Sequence, residues 1–220
     1  MPRTAYTALV VLLLRPAGAA DAQRMQQLQR IRHTYDAAYT RWLPHITLVP
    51  PFAVPPPDAD AGEDAEPAAP GGAPPWLARA LDALSDDTAR ACAQHARHRL
   101  ALTEIGVFRL RRYENVHLRP SASSAPPLLA LQRDIQRAGA PHLPARGRRR
   151  ERFVPHASLG QAYSAEDRAA IELEAVRDCR LHDGGISVAV DHVQVMYKPS
   201  GARGPYTLYR EAALAPSYEP

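Results

Sequence analysis

Cysteine, lysine and long apolar runs are scarce in this sequence of 220 residues. The two cysteines, Cys92 and Cys179, lie far apart in predicted helices, which fits neither a metal-ligand spacing nor a disulfide framework. We therefore expect free, buried thiols in a reducing intracellular compartment, cytoplasmic or nuclear. Lysine occurs once, at Lys198, so arginine provides nearly all of the positive charge. No stretch approaches the ~18 apolar residues of a membrane span, and we expect no membrane partner.

The amino-terminal segment allows two interpretations. A basic residue, the apolar run Ala8–Leu14 and the small residues up to Ala20 together resemble a secretory signal. Arg15 and Pro16 interrupt that pattern and the apolar run is short, so we favour a first β-strand here. The rival interpretation is a secreted or structural protein whose mature form begins after about Ala20.

The composition is that of a globular protein with a mildly basic character. Hydrophobic residues make up 45% of the chain, which argues against global disorder. The length suffices for one large domain or two small lobes. The net charge of +4 is compatible with an anionic substrate but is too small to identify one.

Hydrophobic periodicity predicts two halves, each with the order strand, helix, strand, helix, strand. Outside the second histidine motif described below, the predicted strands cover residues 6–14, 45–49, 100–110, 114–119, 186–197 and 206–212. The predicted helices cover residues 22–38, 76–96, 126–138 and 166–177. Residues from about 53 to 75 are rich in proline and lack apolar periodicity, which predicts a disordered insert.

One pattern occurs twice, as Pro44-His45-Ile46-Thr47 and Pro155-His156-Ala157-Ser158, and a leucine follows each copy. Alternate residues of a strand point to the same face, so each histidine is expected beside a hydroxyl. The two copies lie at the same step of the two halves. The interval after the first copy is longer than that after the second by about the length of the insert. These matching positions indicate a duplicated unit.

With these motifs the sequence resembles the 2H phosphoesterase superfamily. Two His-x-Thr/Ser motifs define that superfamily, which includes 2′-5′ RNA ligase-like proteins and cyclic nucleotide phosphodiesterases. The segments His45–Leu48 and His156–Leu159 match position by position. The resemblance implies a bilobal α+β fold, LigT-like, in which duplicated β-α-β units with antiparallel sheets flank a central cleft. Residues 1–220 are accordingly expected to form a single bilobal domain and a monomer.

The resemblance also implies the site, and the chemistry of the side chains agrees with it. Hydrolysis of a phosphodiester needs a base that activates water and an acid that protonates the leaving oxygen, and histidine suits both roles. We expect His45 and His156 to be the catalytic pair, and pseudosymmetry leaves open which is the acid. The hydroxyls of Thr47 and Ser158 are expected to bind non-bridging phosphate oxygens. Neither a metal nor a cofactor is expected.

A basic segment at residues 146–152 directly precedes the second motif. Arginine forks match phosphate oxygens, so Arg150 and Arg152 are candidates for substrate binding. A solvated charge run explains the same pattern equally well. Tyr163 is a further candidate because aromatic rings stack on bases in single-stranded nucleic-acid sites, although a place in the core or at its rim is the simpler interpretation.

The predicted function is that of a metal-independent phosphoesterase. Its expected substrate is a nucleotide or an RNA terminus that carries a cyclic phosphate, such as a 2′,3′-cyclic phosphate, or another phosphodiester. An exonuclease that trims RNA 3′ ends is an alternative with the same fold. A protein that binds RNA or nucleotides without catalysis is a second alternative, but such a protein would not require both imidazoles.

Overall fold

The computed structural model describes residues 4–56, 72–143 and 153–217. Within these ranges the chain forms nine strands and four α-helices. The strands are β1 (Tyr6–Leu13), β2 (Arg15–Pro16), β3 (His45–Val54), β4 (His98–Arg109), β5 (Glu114–Pro120), β6 (Ala157–Ala162), β7 (Ile186–Val190), β8 (His192–Pro199) and β9 (Thr207–Ala213). The helices are α1 (Ala19–Tyr35), α2 (Pro75–Cys92), α3 (Ala125–Gly139) and α4 (Ala165–Asp178).

Sheet A has the antiparallel strand order β3-β1-β8-β9. Its inner strand β1 is the apolar run near the amino terminus, so the strand predicted there is confirmed. Both faces of β1 are buried: Val10 and Leu12 join the main core, whereas Leu9 and Val11 form a smaller cluster with Met196. A strand buried on both faces needs continuous apolar residues, which explains why this run does not alternate.

Sheet B has the antiparallel order β2-β7-β4-β5-β6. Helices α1 and α4 contact each other and pack on sheet B, whereas α2 and α3 form a second pair that packs on sheet A. Each lobe is therefore one antiparallel sheet covered by two helices. The predicted bilobal α+β architecture is confirmed.

Each lobe contains elements from both halves of the sequence. The single strand predicted over residues 186–197 is in fact two strands, β7 and β8, which are separated at Asp191 and belong to different sheets. Sheet A combines β1 and β3 of the first half with β8 and β9 of the second. The prediction missed this break because no glycine or proline occurs between residues 186 and 198, so nothing in the local sequence interrupts the pattern.

Both histidine motifs lie at sheet edges. Strands β3 and β6 are the edge strands of sheets A and B, and they contact each other where the lobes meet. Strand β3 continues to Val54, beyond its predicted end at Pro50 and Pro51, and its register against β1 shifts at the two prolines. An edge strand tolerates proline because one side of its backbone needs no ladder hydrogen bond.

Most of the predicted insert lies outside the described residues. Of its two ends, residues 53 and 54 belong to β3, and Pro75 begins α2. Cys92 and Cys179 are free and buried, as predicted. Burial raises the pKa of both thiols to about 12. In the described part of the chain, no helix is both long and apolar enough to cross a membrane.

Candidate active site

The two motif histidines come from the facing edge strands. His45 begins β3, and His156 directly precedes β6. Both line one cleft of about 240 Å³, and so do Thr47 and Ser158. The structure therefore brings together the four residues that the two motifs single out.

Each imidazole is oriented by a backbone carbonyl two residues earlier in the chain. His45 Nδ1 lies 2.7 Å from the Leu43 carbonyl oxygen, and His156 Nδ1 lies 2.9 Å from that of Val154. Because a carbonyl oxygen can only accept, Nδ1 carries the hydrogen and Nε2 of the neutral ring has a free lone pair. A proline stands between the carbonyl and the histidine in both copies, and its fixed φ restricts the backbone at this step.

Burial lowers the pKa of both imidazoles. Desolvation is the main cause for both histidines. The positive charge of Arg32 and that of protonated His156 lower the pKa of His45 further, while the hydrogen bonds to the carbonyls act in the opposite direction. Protonation of one ring therefore disfavours protonation of the other. The site favours a pair with one charged and one neutral ring over a doubly charged pair.

The Ser158 hydroxyl has a polar neighbour on β5. Asn115 Nδ2 donates a hydrogen bond to Ser158 Oγ at 3.2 Å. Because this bond uses a lone pair of the oxygen, the hydroxyl hydrogen remains available to a phosphate oxygen. Asn115 Oδ1 is buried and has no hydrogen-bond partner among the described residues. Asn115 thus orients a candidate phosphate donor, and no sequence motif indicated it.

A buried ion pair also lines the cleft. Arg32 and Asp36 lie one helical turn apart at the end of α1, with Nη2 and Oδ2 2.8 Å apart and side chains only 3% and 2% exposed. Arg32 donates to the Trp42 carbonyl oxygen at 2.9 Å, and Asp36 accepts from Gln161 Nε2 on β6 at 3.2 Å. These bonds tie α1 to β6 and to the segment before β3. The sequence prediction missed these four residues, although the spacing of Arg32 and Asp36 is typical of a helical ion pair.

His156 packs against two further rings of sheet B. The centroid of Phe108 lies 4.8 Å from that of His156, and the centroid of His117 lies 5.1 Å from it. His117 is buried and is only 1% exposed. Burial, together with the charge of His156, lowers the pKa of His117 to about 4. Gly106 on β4 leaves the necessary space, since a Cβ atom there would clash with His117 Nε2.

The structure does not bring Tyr163, a further candidate, to this cleft. Tyr163 follows β6, is 68% exposed and packs against Tyr113 at 5.9 Å between ring centroids. It is not among the described residues that line the cleft. Arg150 and Arg152 lie outside the described residues, so their role stays a prediction. In the described ranges, no group of three or more His, Cys, Asp or Glu side chains is placed to hold a metal ion.

Two lobes that each present a His-x-Thr/Ser motif from an edge strand to one cleft define the 2H phosphoesterase class. The family model described as the 2′-5′ RNA ligase superfamily matches residues 18–202. The chain belongs to this superfamily, whose membership supports a phosphodiesterase-type or ligase-like enzyme. A search of curated proteins found no match.

Several solved structures share the fold at low sequence identity. Apo LigT of E. coli superposes with a TM-score of 0.53 and 19% identity over 97% of this chain and 99% of LigT. A protein described as a phosphoesterase superposes with a TM-score of 0.50 and 18% identity over 98% of this chain and 99% of that protein. LigT complexed with 3′-AMP superposes with a TM-score of 0.51 and 17% identity over 96% of this chain and 99% of LigT. At these identities the likeness shows the fold alone.

Proposed function

We propose that this protein is a metal-independent phosphodiesterase in which His45 and His156 act as general base and general acid. Its substrate would be a cyclic phosphate or another phosphodiester on a nucleotide or an RNA end. The observation that carries the proposal is the matched hydrogen bonding of the two rings. Each Nδ1 is engaged by a backbone carbonyl, which leaves two Nε2 atoms for chemistry in one cleft.

In the proposed reaction, Nε2 of the neutral histidine accepts a proton from water as the water oxygen attacks phosphorus. The bond between phosphorus and the ribose oxygen breaks on the opposite side, and the protonated histidine donates its Nε2 proton to that oxygen. The hydroxyls of Thr47 and Ser158 donate hydrogen bonds to the non-bridging oxygens, which carry the negative charge. Proton exchange with solvent restores the starting pair. The pseudosymmetric site supports either assignment of the two roles, and the orientation of the substrate selects one.

A 2′,3′-cyclic phosphate is the substrate that we propose first. Hydrolysis of this ring yields a 2′- or a 3′-monophosphate. The structurally similar LigT has been crystallised with 3′-AMP, a nucleotide of that type. Membership of the 2′-5′ RNA ligase superfamily also supports a substrate with a ribose phosphodiester.

The test is hydrolysis of a panel of 2′,3′-cyclic nucleotides, an ADP-ribose cyclic phosphate and 2′-5′-linked oligonucleotides in the presence of EDTA. His45→Ala and His156→Ala should each lose at least ~10²-fold in kcat, since each removes a general acid or base. His182→Ala removes an exposed histidine outside the cleft and is the matched control. An absolute metal requirement, or full activity in either cleft variant, would refute the mechanism. Nucleotide binding without turnover would support the non-catalytic alternative.

A further inference from the structure

The ring of His45 is stacked on an aromatic residue that the reaction itself does not require. The indole of Trp42 lies with its centroid 4.5 Å from that of His45, at an interplanar angle of 29°. Trp42 also stacks on Tyr206, again at 4.5 Å between centroids and at 25°. We call His45, Trp42 and Tyr206 the aromatic stack. It joins the start of β3 to the loop between β8 and β9.

The only lysine of the chain extends this stack. Lys198 Nζ lies 4.5 Å from the Tyr206 ring centroid, within the range of a cation–π interaction. The same ammonium group donates to the Ala202 carbonyl oxygen at 3.0 Å. Lys198 therefore holds the loop that carries Tyr206 by two interactions.

The backbone of Trp42 is held independently of its ring. Its carbonyl oxygen accepts from Arg32 Nη2, and Arg32 is fixed by the buried ion pair with Asp36. A tryptophan that is restrained at both the backbone and the ring is a rigid support. Among the described residues, the rings that pack against His156 are not parallel to it, since Phe108 and His117 meet its ring at 89° and 61°.

The stack supplies a restraint on His45 that its hydrogen bond cannot supply. The bond from Nδ1 to the Leu43 carbonyl holds one edge of the ring, but a hydrogen bond tolerates a range of angles and sets the tilt of the ring only loosely. An indole face at stacking distance opposes such tilting. A small displacement of a reacting group costs a large factor in rate, so such a restraint matters for proton transfer.

We propose that Trp42 is a positioning residue that sets the plane of the His45 ring, supported in turn by Tyr206 and Lys198. The proposal rests on the proposed acid–base function of His45. It assigns a role to the segment just before the first motif and to the sole lysine of the chain, neither of which takes part in the proposed proton transfers.

The experiment compares Trp42→Leu, which removes the aromatic face, with Trp42→Phe, which retains one. Trp42→Leu should lower kcat on the best cyclic nucleotide by roughly 10- to 100-fold with little change in KM, and Trp42→Phe should recover most of the loss. Trp76→Leu is the matched control, since the second tryptophan packs against Tyr6 in a separate contact. Lys198→Met should lose about 2- to 5-fold in kcat, whereas Lys198→Arg keeps the cation and should lose less.

A spectroscopic readout on the full-length chain separates this proposal from the proposed function. The His45 ring protons should show an upfield ring-current shift in the wild type and in Trp42→Phe, and that shift should disappear in Trp42→Leu. Tyr206→Leu provides a second perturbation of the stack if Trp42→Leu does not fold. An unchanged His45 shift in Trp42→Leu, or a wild-type kcat in that variant, would overturn the proposal. Absence of hydrolysis by the wild type would refute the proposed function, and the His45 shifts would still decide the role of Trp42.

Discussion

The protonation states of His45 and His156 determine when the site is competent. The proposed reaction requires one charged and one neutral imidazole. Burial lowers the pKa of both rings below the usual 6.5 of histidine. Near pH 7 the free protein therefore contains mainly the doubly neutral pair, which lacks the acid.

We predict from this that the optimum of kcat/KM for a 2′,3′-cyclic nucleotide lies below pH 6.5. The profile of kcat/KM reports the free enzyme, in which the singly protonated pair is most populated between the two lowered pKa values. A bound phosphate anion favours the charged imidazole, so the profile of kcat should be displaced towards higher pH. Initial rates from pH 4.5 to 8.5 at constant ionic strength measure both profiles. A kcat/KM optimum at or above pH 6.5 would be inconsistent with this assignment.

Among the elements, the contact between α1 and β6 places the ion pair in the cleft. Gly160 on β6 lies so close to the last turn of α1 that an added Cβ atom would come within 2.9 Å of the Tyr35 carbonyl oxygen. The adjacent residue, Gln161, then reaches Asp36 and the Ala37 amide. The close approach of this helix end to the strand therefore depends on glycine.

We predict that Gly160→Ala lowers the free energy of unfolding by roughly 1–3 kcal/mol, because helix and strand must separate to admit the methyl group. Gly204→Ala is the matched control, since its added Cβ meets no atom within 4 Å. Urea titration of both variants gives the comparison. Equal stability of the Gly160→Ala and Gly204→Ala variants would show that helix α1 and strand β6 can separate to admit the methyl group without a loss of stability, which contradicts the prediction.

The elements themselves were largely predictable, but their distribution between the lobes was not. Periods of 2 and 3.6 residues revealed the four helices and most strands. Strand β8 and helix α3 belong to the second half of the sequence but lie in the lobe that contains β1 and β3. Their placement depends on contacts between residues far apart in the chain, which a local sequence pattern does not predict. The division at Asp191 is the clearest case, because β7 and β8 together have the appearance of one strand.

The same contrast applies to the site. His45, Thr47, His156 and Ser158 were predictable because two strand motifs repeat at matching steps. Trp42, by comparison, reaches the site by tertiary packing, and no spacing in the sequence predicts a stack. Site residues outside a motif can be identified only from the three-dimensional structure, in which the helix ends and the strand edges meet.

At the scale of the whole molecule, three histidines close to the lobe junction link stability to pH. The pKa values of His45, His117 and His156 are all lowered in the folded protein, that of His117 to about 4. Below pH 6.5 the unfolded chain binds protons that the folded protein excludes. Stability is therefore fully present above pH 6.5 and falls as the pH falls.

For His117 the affected window extends from about pH 6.5 to about pH 4. Within it, each excluded proton contributes a slope of roughly 1.4 kcal/mol per pH unit. His117→Asn should reduce the pH dependence of the free energy of unfolding by about that slope, whatever its effect on stability at pH 7. His182→Asn, which removes an exposed histidine, is the control. Urea titrations at several pH values measure the slopes, and the same slope in His117→Asn and the wild type would contradict the prediction.

In the proposed mechanism, the histidines of the two lobes act together in one reaction. The most direct measurement is a double-mutant cycle in kcat/KM on a 2′,3′-cyclic nucleotide with His45→Ala, His156→Ala and the double variant. Each single variant should lose at least ~10²-fold in kcat/KM. The kcat/KM of the double variant should be only slightly below that of the less active single variant, because acid and base serve the same step. Wild-type activity in either single variant, or losses that multiply in full in the double variant, would contradict this mechanism.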